Sequence, residues 1–392
     1  MFRFAIVKNF PLEDERKIRK QFLDASWHCN GLRAAEPYPA RWAHDRSCRI
    51  INMILIKCPR IPEGELSNVT VSASGSLFVY NDLEDFFHCQ IQGHPATAVL
   101  EQPVAHVLSK SKNTTKLLPH VVFSVMIKGP ESQAYLPQWI EYHRYAFGIP
   151  HFFVYVNEPW QVFCHRKSYR EWSFVTYVPF PLGYYHDDEF YYQRIQQNDL
   201  FWRVKVLASQ SSSNMFGSQI QWVGMLDIDE YLYAPGIKPS LSAEHLEGLL
   251  DKYSNPDTHK HTTGLYIRNT FYGGPDAHDF EWIDSNGLAT DVLSCHFFYH
   301  HNPNVTFENW ARQKFFARVD GAIYMNVHLV LSLDKRKEHQ YNYMDSIVWL
   351  DHETELRHNH FKLNWPWPAD QQKDLHLRDT VCPLMQKLLK QG

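Results

Sequence analysis

The sequence predicts an α/β protein: a mostly parallel sheet with flanking helices, preceded by a smaller β-rich domain. Three observations carry that expectation. A strand-like run, an amphipathic helical run and a second strand-like run follow one another between Val121 and Val156. A later apolar run, Trp222 to Tyr233, carries Asp227 and Asp229 in its middle. Before residue 109 the texture differs, with short β-type runs punctuated by Gly and Pro and with four of the seven cysteines.

In chain order, residues 1–108 form the β-rich block, with strands expected at Ile50–Ile56, Val69–Ala73 and Ser76–Tyr80. Cys29, Cys48, Cys58 and Cys89 fall in this block. In an oxidising compartment they read as two disulfides with three possible pairings, and in a reducing one as buried thiols. No Cys-x-x-Cys pair favours zinc. The polar, aperiodic stretch Ser109–Lys116 marks a linker, placed at residues 109–119.

From His120 the chain changes character. Val121–Ile127 is a buried-type strand, and Lys128-Gly129-Pro130 turns the chain. Leu136, Trp139, Ile140, His143 and Phe147 then line one face of a helix over Tyr135–Phe147, with Pro137 in its first turn and Gly148 at its C-cap. His151–Val156 is the next strand. Strand, helix and strand within about 30 residues make a βαβ unit and hence a parallel sheet. Further strands are expected at Phe174–Val178, Trp222–Leu226, Gly264–Ile267 and Ala322–Val330, with a helix at Asp188–Ser209. The main domain is set at residues 120–366 and a C-terminal helical tail at 367–392.

Composition narrows the function. The chain has 392 residues, enough for two domains, and 44% of them are hydrophobic. A net charge of -4, with no long Lys/Arg run, argues against nucleic acid as a partner. No stretch reaches the ~18 uncharged apolar residues of a membrane helix, and Met1–Lys8 is too short for a signal peptide. Three glycosylation sequons, at Asn68, Asn113 and Asn304, point instead to the secretory pathway, with any membrane anchor outside this sequence.

The chemistry centres on Asp227-Ile228-Asp229. Read as part of a strand, the two carboxylates emerge on the same side. Burial in an apolar run is costly for them unless they are paired or bound to a cation. A divalent cation at the carboxyl end of the strand, holding a phosphate-bearing substrate, answers that cost. Mn²⁺ or Mg²⁺ suits oxygen and imidazole ligands. His328, at the end of the Ala322–Val330 run, and His358 and His360 are the candidate imidazoles. Lys128, Lys314 and Arg318 are candidate cations for a diphosphate. Asn157-Glu158 follows a strand as Lys128 does, so both can line the crevice at the strands' carboxyl ends. The Phe271–Pro275 turn and the following Asp276, Asp279 and Glu281 form an acidic, aromatic loop suited to an acceptor and a general base. Glu230 points the other way in this reading and has no role.

The motifs Tyr135–His143, Gly148 and His151–Tyr155, then Gln193 and Asn198-Asp199, then Trp222 and Asp227–Tyr231, resemble the opening blocks of glycosyltransferase family 92. Lys314–Arg318, Asn326-Val327-His328 and His358–Phe361 resemble its later blocks, in the correct order. The resemblance covers about residues 120–362. It implies a GT-A-type fold and a metal-dependent, inverting transfer from a nucleotide sugar, usually UDP-galactose, to a glycan or polysaccharide acceptor. It implies a type II membrane protein of the Golgi lumen. It also implies that the block before residue 109 stands where the family's plant galactan synthases carry a carbohydrate-binding module. Leu200 in place of Cys, Phe361-Lys362 after His360 and Tyr231 in place of Phe depart from the family pattern and leave the acceptor open.

On this reading Asp229, with Asp227 and with His328 or His360, holds the metal. Asp227, Lys128, Asn157, Lys314 and Arg318 hold the donor. Asp279, Glu281 and Glu308 are the candidate bases. Two other functions share parts of the pattern. A haloacid dehalogenase-type phosphohydrolase also uses Asp-x-Asp, but there the motif opens its domain and Thr or Val stands where Tyr231 is. A non-catalytic carbohydrate-binding protein would bind glycan through the aromatics and only a cation through the carboxylates, and would release no UDP.

Overall fold

The computed structural model describes residues 116–180, 220–255, 257–259, 262–273, 283–285, 288–296, 299–301, 313–326, 328–332, 347–361, 371–373 and 377–391, scattered positions between 193 and 204, and the backbone of strands between 2 and 73. The chain divides into two compact units, Met1–Gln92 with Leu182–Arg203, and Gly93–Pro181 with Val204–Gly392.

The first unit carries the β-rich segment. Strands β1 (Phe2–Phe10), β4 (Ala35–Pro39), β5 (Ala43–His44) and β6 (Ile50–Lys57) form one antiparallel sheet in the order β1-β6-β4, with β5 also on β6. Strands β2 (Trp27–Cys29), β3 (Leu32–Arg33) and β7 (Val71–Ala73) form a second. The runs expected at Ile50 and Val69 are thus β6 and β7. The run at Ser76–Tyr80, the side chains of the four early cysteines and all three sequons lie outside the described residues. Of the expected helix at Asp188–Ser209, the described positions, from Gln193 to Val204, are helical.

The second unit is a mixed α/β sheet. Strand β8 (Val121–Ile127) leads through helix α1 (Gly129–Phe147) to β9 (Phe152–Val156), and the strands pair in parallel, as the βαβ spacing requires. Helix α2 (Trp160–Cys164) leads to β10 (Val175–Pro179), which is parallel to β9, and β11 (Trp222–Met225) is parallel to β8. The order β10-β9-β8-β11 therefore brings four carboxyl ends to one edge. β9 is buried throughout, as befits a strand covered on both faces. Gly224 of β11 lies opposite Phe123 of β8, and a Cβ there would sit 2.4 Å from the phenyl ring.

Beyond β11 the sheet turns antiparallel. β13 (Gly264–Gly273) and β15 (Lys314–Arg318) pair with each other, and β15 also pairs with β11. Strand β12 (Glu230–Tyr233) pairs with β19 (Arg357–Phe361), which runs parallel to the second half of β13. β18 (Ile347–Trp349) joins the first half of β13. β14 (Tyr299–His301) and β20 (Gln371–Lys373) extend the far side. Helix α3 (Ser242–Ser254) follows β12, and α4 (Leu293–His296) precedes β14. After β20 comes a π-helical turn at Leu377–Val381 and helix α5 (Cys382–Gln391), with a disulfide between Cys295 and Cys382.

Three sequence expectations change here. Helix α1 starts at Gly129, not Tyr135: Gly129 makes the turn at φ 80° and Pro130 occupies the first turn. Pro137 lies inside the helix, where a missing N–H and a ring clash cost roughly 3 kcal/mol. Full burial of Leu136, Trp139, Ile140 and Phe147, at roughly 1.5–3 kcal/mol each, outweighs that. Gly148 does close the helix in the left-handed conformation, φ 64°. Second, the Ala322–Val330 run is a hairpin, β16 (Ala322–Asn326) and β17 (Leu329–Ser332), because the chain reverses between the paired residues Asn326 and Leu329. Third, Trp222–Tyr233 is not one strand. β11 stops at Met225, Ile228 and Asp229 form a turn, and β12 starts at Glu230.

Candidate active site

The turn between β11 and β12 is closed twice. The Glu230 N–H donates to Asp227 O at 3.0 Å, and the Asp227 N–H donates to Glu230 Oε2 at 2.8 Å. Reciprocal closure of this kind resembles a helix capping box, in which side chain and main chain satisfy each other. It overturns the expectation that Glu230 points away. With the strand broken at Asp227, alternation no longer applies, and all three carboxylates gather at one place.

A lysine and a histidine reach them from two neighbouring strands. The β11–β15 register, Met225 against Phe315, places Lys314 one step further on, beside Asp227. Lys314 Nζ donates to Asp227 Oδ2 at 2.7 Å and lies 3.2 Å from Glu230 Oε2. The β12–β19 register sets His360 directly opposite Glu230, and His360 Nε2 lies 3.1 Å from Asp229 Oδ2. His360 Nδ1 is 3.5 Å and His358 Nδ1 3.7 Å from Glu230 Oε1.

Burial and charge then set the ionisation of each group. Burial opposes the Lys314 charge, but attraction by Asp227 and Glu230 outweighs it and raises the pKa of the ammonium. Burial also pushes Asp229 up, yet the charge and hydrogen bond of His360, helped by Lys314, leave its carboxyl below the usual range. Glu230 goes the other way. Burial drives it up to about 7, Lys314 resists, and Asp227 and Asp229 add to the rise. Lys314 and Glu230 side chains are only 2% and 1% exposed, whereas Asp227 and Asp229 are 34% and 36% exposed. The two aspartates therefore face outward from a buried charged floor.

Strand β12 hangs from α1 by side chains. Trp139 Nε1 donates to Glu230 O at 2.9 Å, Tyr142 Oη donates to Leu232 O at 2.7 Å, and His143 Nε2 accepts the Leu232 N–H at 3.1 Å. His143 Nδ1 lies 2.8 Å from Trp139 O, so the ring is neutral with its proton on Nδ1. Burial holds its pKa down to about 3. These are the outward-facing groups of β12, and positions 139, 142 and 143 lie on one helical face. Sequence reasoning placed Trp139 and His143 on the buried face but missed their bonding role. The signal was there: polar tips at i, i+3 and i+4 on an otherwise apolar stripe.

The remaining predicted residues are placed as follows. Lys128 precedes α1, and its N–H donates to Ser132 Oγ at 2.9 Å. Asn157 is buried, with its N–H on Ile127 O at 2.9 Å. Both lie at the carboxyl edge, at the ends of β8 and β9, as Asp227 lies at the end of β11. Beside them Glu158 makes a two-pronged ion pair with Arg166 and accepts the Gly129 N–H at 3.2 Å, while Arg166 also donates to Gln133 Oε1 at 2.8 Å. Sequence reasoning missed this clamp. Arg318 is not brought to the cluster. It sits opposite Trp222, at the amino end of β11, and pairs with Asp320 at 2.7 Å. Four strand steps, roughly 13 Å, separate it from Lys314. His328 lies in the β16–β17 turn, where its Nδ1 lies 2.9 Å from Gln313 O and its own carbonyl accepts from Gln313 Nε2 at 3.0 Å. The hydrogen bond to Asp229 comes from His360 instead. Asp276, Asp279, Glu281 and Glu308 lie outside the described residues.

The site is thus an Asp-x-Asp turn at the carboxyl edge of an α/β sheet, backed by a buried lysine and a histidine, and the family match assigns the class, glycosyltransferase. Residues 120–391 match the family model of glycosyltransferase family 92. The chain belongs to that family, and its mixed α/β sheet is of the α/β class the sequence predicted. No curated protein matches the chain. Among solved structures, the X-ray structure of the mannosyltransferase Ktr4p from S. cerevisiae aligns at 8% identity and a TM-score of 0.21, over 46% of this chain and 55% of that one. The same protein in complex with GDP aligns at 8% and 0.21, over 48% and 57%. The chain thus spans little more than half the length of these structures.

Proposed function

We propose that the chain transfers galactose from UDP-galactose to a glycan or polysaccharide acceptor, with inversion and so with a β linkage, in a metal-dependent reaction. The observation that supports this reading is the pair of outward-facing aspartates on a buried Lys314, beside His360. Asp229 and His360 offer an oxygen and an imidazole nitrogen, a donor set that suits Mn²⁺ or Mg²⁺. Among the described residues no three His, Cys, Asp or Glu side chains form a ready metal cage. Asp229 and His360 are the residues that would hold the ion, beside the donor. Bound there, the ion would supply Lewis acidity to the departing nucleotide.

In this mechanism Lys314 stays charged and steadies Asp227, whose exposed side orients the donor. Lys128 and Asn157, at the ends of β8 and β9, border the same crevice. An acceptor hydroxyl attacks the anomeric carbon from the face opposite the diphosphate and gives its proton to a carboxylate. Asp279, Glu281 and Glu308 are the carboxylates to test. Golgi residence is part of the proposal; the Cys295–Cys382 disulfide and the sequons support an oxidising, lumenal setting. No helix among the described residues is long and apolar enough to cross a membrane.

The test is UDP release and product linkage analysis, with UDP-galactose against a glycan array, in EDTA and in Mn²⁺. Transfer that needs Mn²⁺ and gives a β-galactoside is expected. Equal turnover in EDTA would remove the metal, and turnover only with another nucleotide sugar would remove the galactose.

A further inference from the structure

Glu230 has no part in the mechanism above, yet more of the site converges on it than on any of the other residues discussed. We propose that Glu230 is a positioning residue for the donor side: it shapes the Asp227–Asp229 turn and aims Lys314 and His360 at it without touching substrate. The inference rests on that turn being the donor site.

Three parts of Glu230 are fixed at once. Its N–H closes the turn on Asp227 O, its carbonyl takes the Trp139 indole N–H, and its carboxylate takes the Asp227 N–H. The carboxylate also divides its two oxygens. Oε2 serves the Asp227 N–H and Lys314, at 2.8 and 3.2 Å, while Oε1 faces His360 and His358, at 3.5 and 3.7 Å. Lys314 and His360 are the side chains that meet Asp227 and Asp229. One buried carboxylate thus links both aspartates to both of their partners. A side chain with 1% exposure is not a surface for a sugar nucleotide. Its effect on transfer must pass through the turn, and a site held within a fraction of an ångström needs such support.

Two substitutions separate the contributions. Glu230→Gln keeps an acceptor for the Asp227 N–H and loses the charge facing Lys314; Glu230→Leu loses both. The readouts are donor and acceptor KM, kcat, UDP affinity by calorimetry in Mn²⁺ and in EDTA, and melting temperature. For E230Q we expect a donor KM and a UDP Kd raised about tenfold, the scale of one charge-assisted hydrogen bond, with acceptor KM and melting temperature unchanged. E230L should add a fall in kcat of about tenfold or more. Donor KM, kcat and UDP affinity within about twofold of wild type in E230Q would overturn the proposal, whether or not E230L folds. A lower melting temperature with unchanged donor KM would also overturn it, because that is a structural role alone. Asp229→Ala serves as the control. If it transfers normally, the donor-site reading fails; if it is inactive while E230Q is normal, only the role of Glu230 fails.

Discussion

The carboxyl edge of the sheet carries two acid–base clusters of opposite construction. In the Glu158–Arg166 clamp the acid is the buried member, 5% exposed against 20% for the arginine. Glu158 takes bonds from Gly129 and Arg166, and Arg166 also donates to Gln133, all close in sequence between β8 and β10. In the Asp227–Lys314 cluster the cation is buried and the aspartates face out. The first arrangement closes a loop on itself. The second fixes carboxylates in place and turns them toward solvent. Which partner is buried, rather than the presence of an ion pair, separates a brace from a site.

Substitutions can break that contrast. The largest effect is expected from Asp229→Ala, which should lower kcat by more than about 100-fold while leaving the circular dichroism spectrum unchanged. Near-normal transfer in Mn²⁺ would make the outward aspartates ornamental. Lys314→Met should come next. It leaves buried Glu230 beside Asp227 without a cation, so Glu230, already raised to about 7, takes up a proton, and stability should fall by roughly 1–3 kcal/mol in denaturant titrations. Adding Glu230→Gln to it should restore part of that loss, since a neutral amide no longer needs the lysine.

The third effect concerns the helix side chains that hold β12. His143 accepts the Leu232 N–H only while neutral, and its folded pKa is about 3 against an ordinary 6.5. His151 is likewise held down, to about 4, by burial and then by Arg144. A depressed folded pKa means the unfolded chain binds the proton more tightly. The stability is therefore whole above pH 6.5 and is lost as pH falls through the folded values, toward 4 and then 3. Melting temperature against pH should fall over that window, and His143→Phe should flatten the fall while lowering stability at pH 7. The smallest effect is expected of the brace. Replacing Glu158 and Arg166 together by Gln should change stability by about 1–2 kcal/mol and transfer by no more than about threefold. A large loss of transfer would show that the clamp belongs to the site.

Much of this was legible because local patterns determine it. The spacing from Val121 to Val156 gave a parallel βαβ unit, and the stripe from Leu136 to Phe147 gave the buried face of α1. Strand ends alone placed Lys128, Asn157 and Asp227 on one edge. What was not legible depends on pairing across long stretches of chain. The partner of Asp229 comes from β19, 131 residues away, and periodicity cannot choose between His328 and His360 at that distance. The role of Glu230 was hidden by a local error. Treating Trp222–Tyr233 as one strand assigned Glu230 to the far face, whereas the turn at Ile228-Asp229 resets the alternation. Lys314 and Arg318 both lie on β15, and only its direction against β11 shows which of them lies beside Asp227.

The bonds from Trp139, Tyr142 and His143 to β12 have a consequence beyond catalysis. Among the described residues β12 has a strand partner on one side only. An unpaired strand edge is a template on which another chain can add a strand, and proteins commonly blunt such edges with charge, proline or an overlying helix. Here the groups an incoming strand would seek, the carbonyls of Glu230 and Leu232 and the N–H of Leu232, are already taken by helix side chains. The strand that begins with Glu230 is thereby closed to strand addition by a second chain.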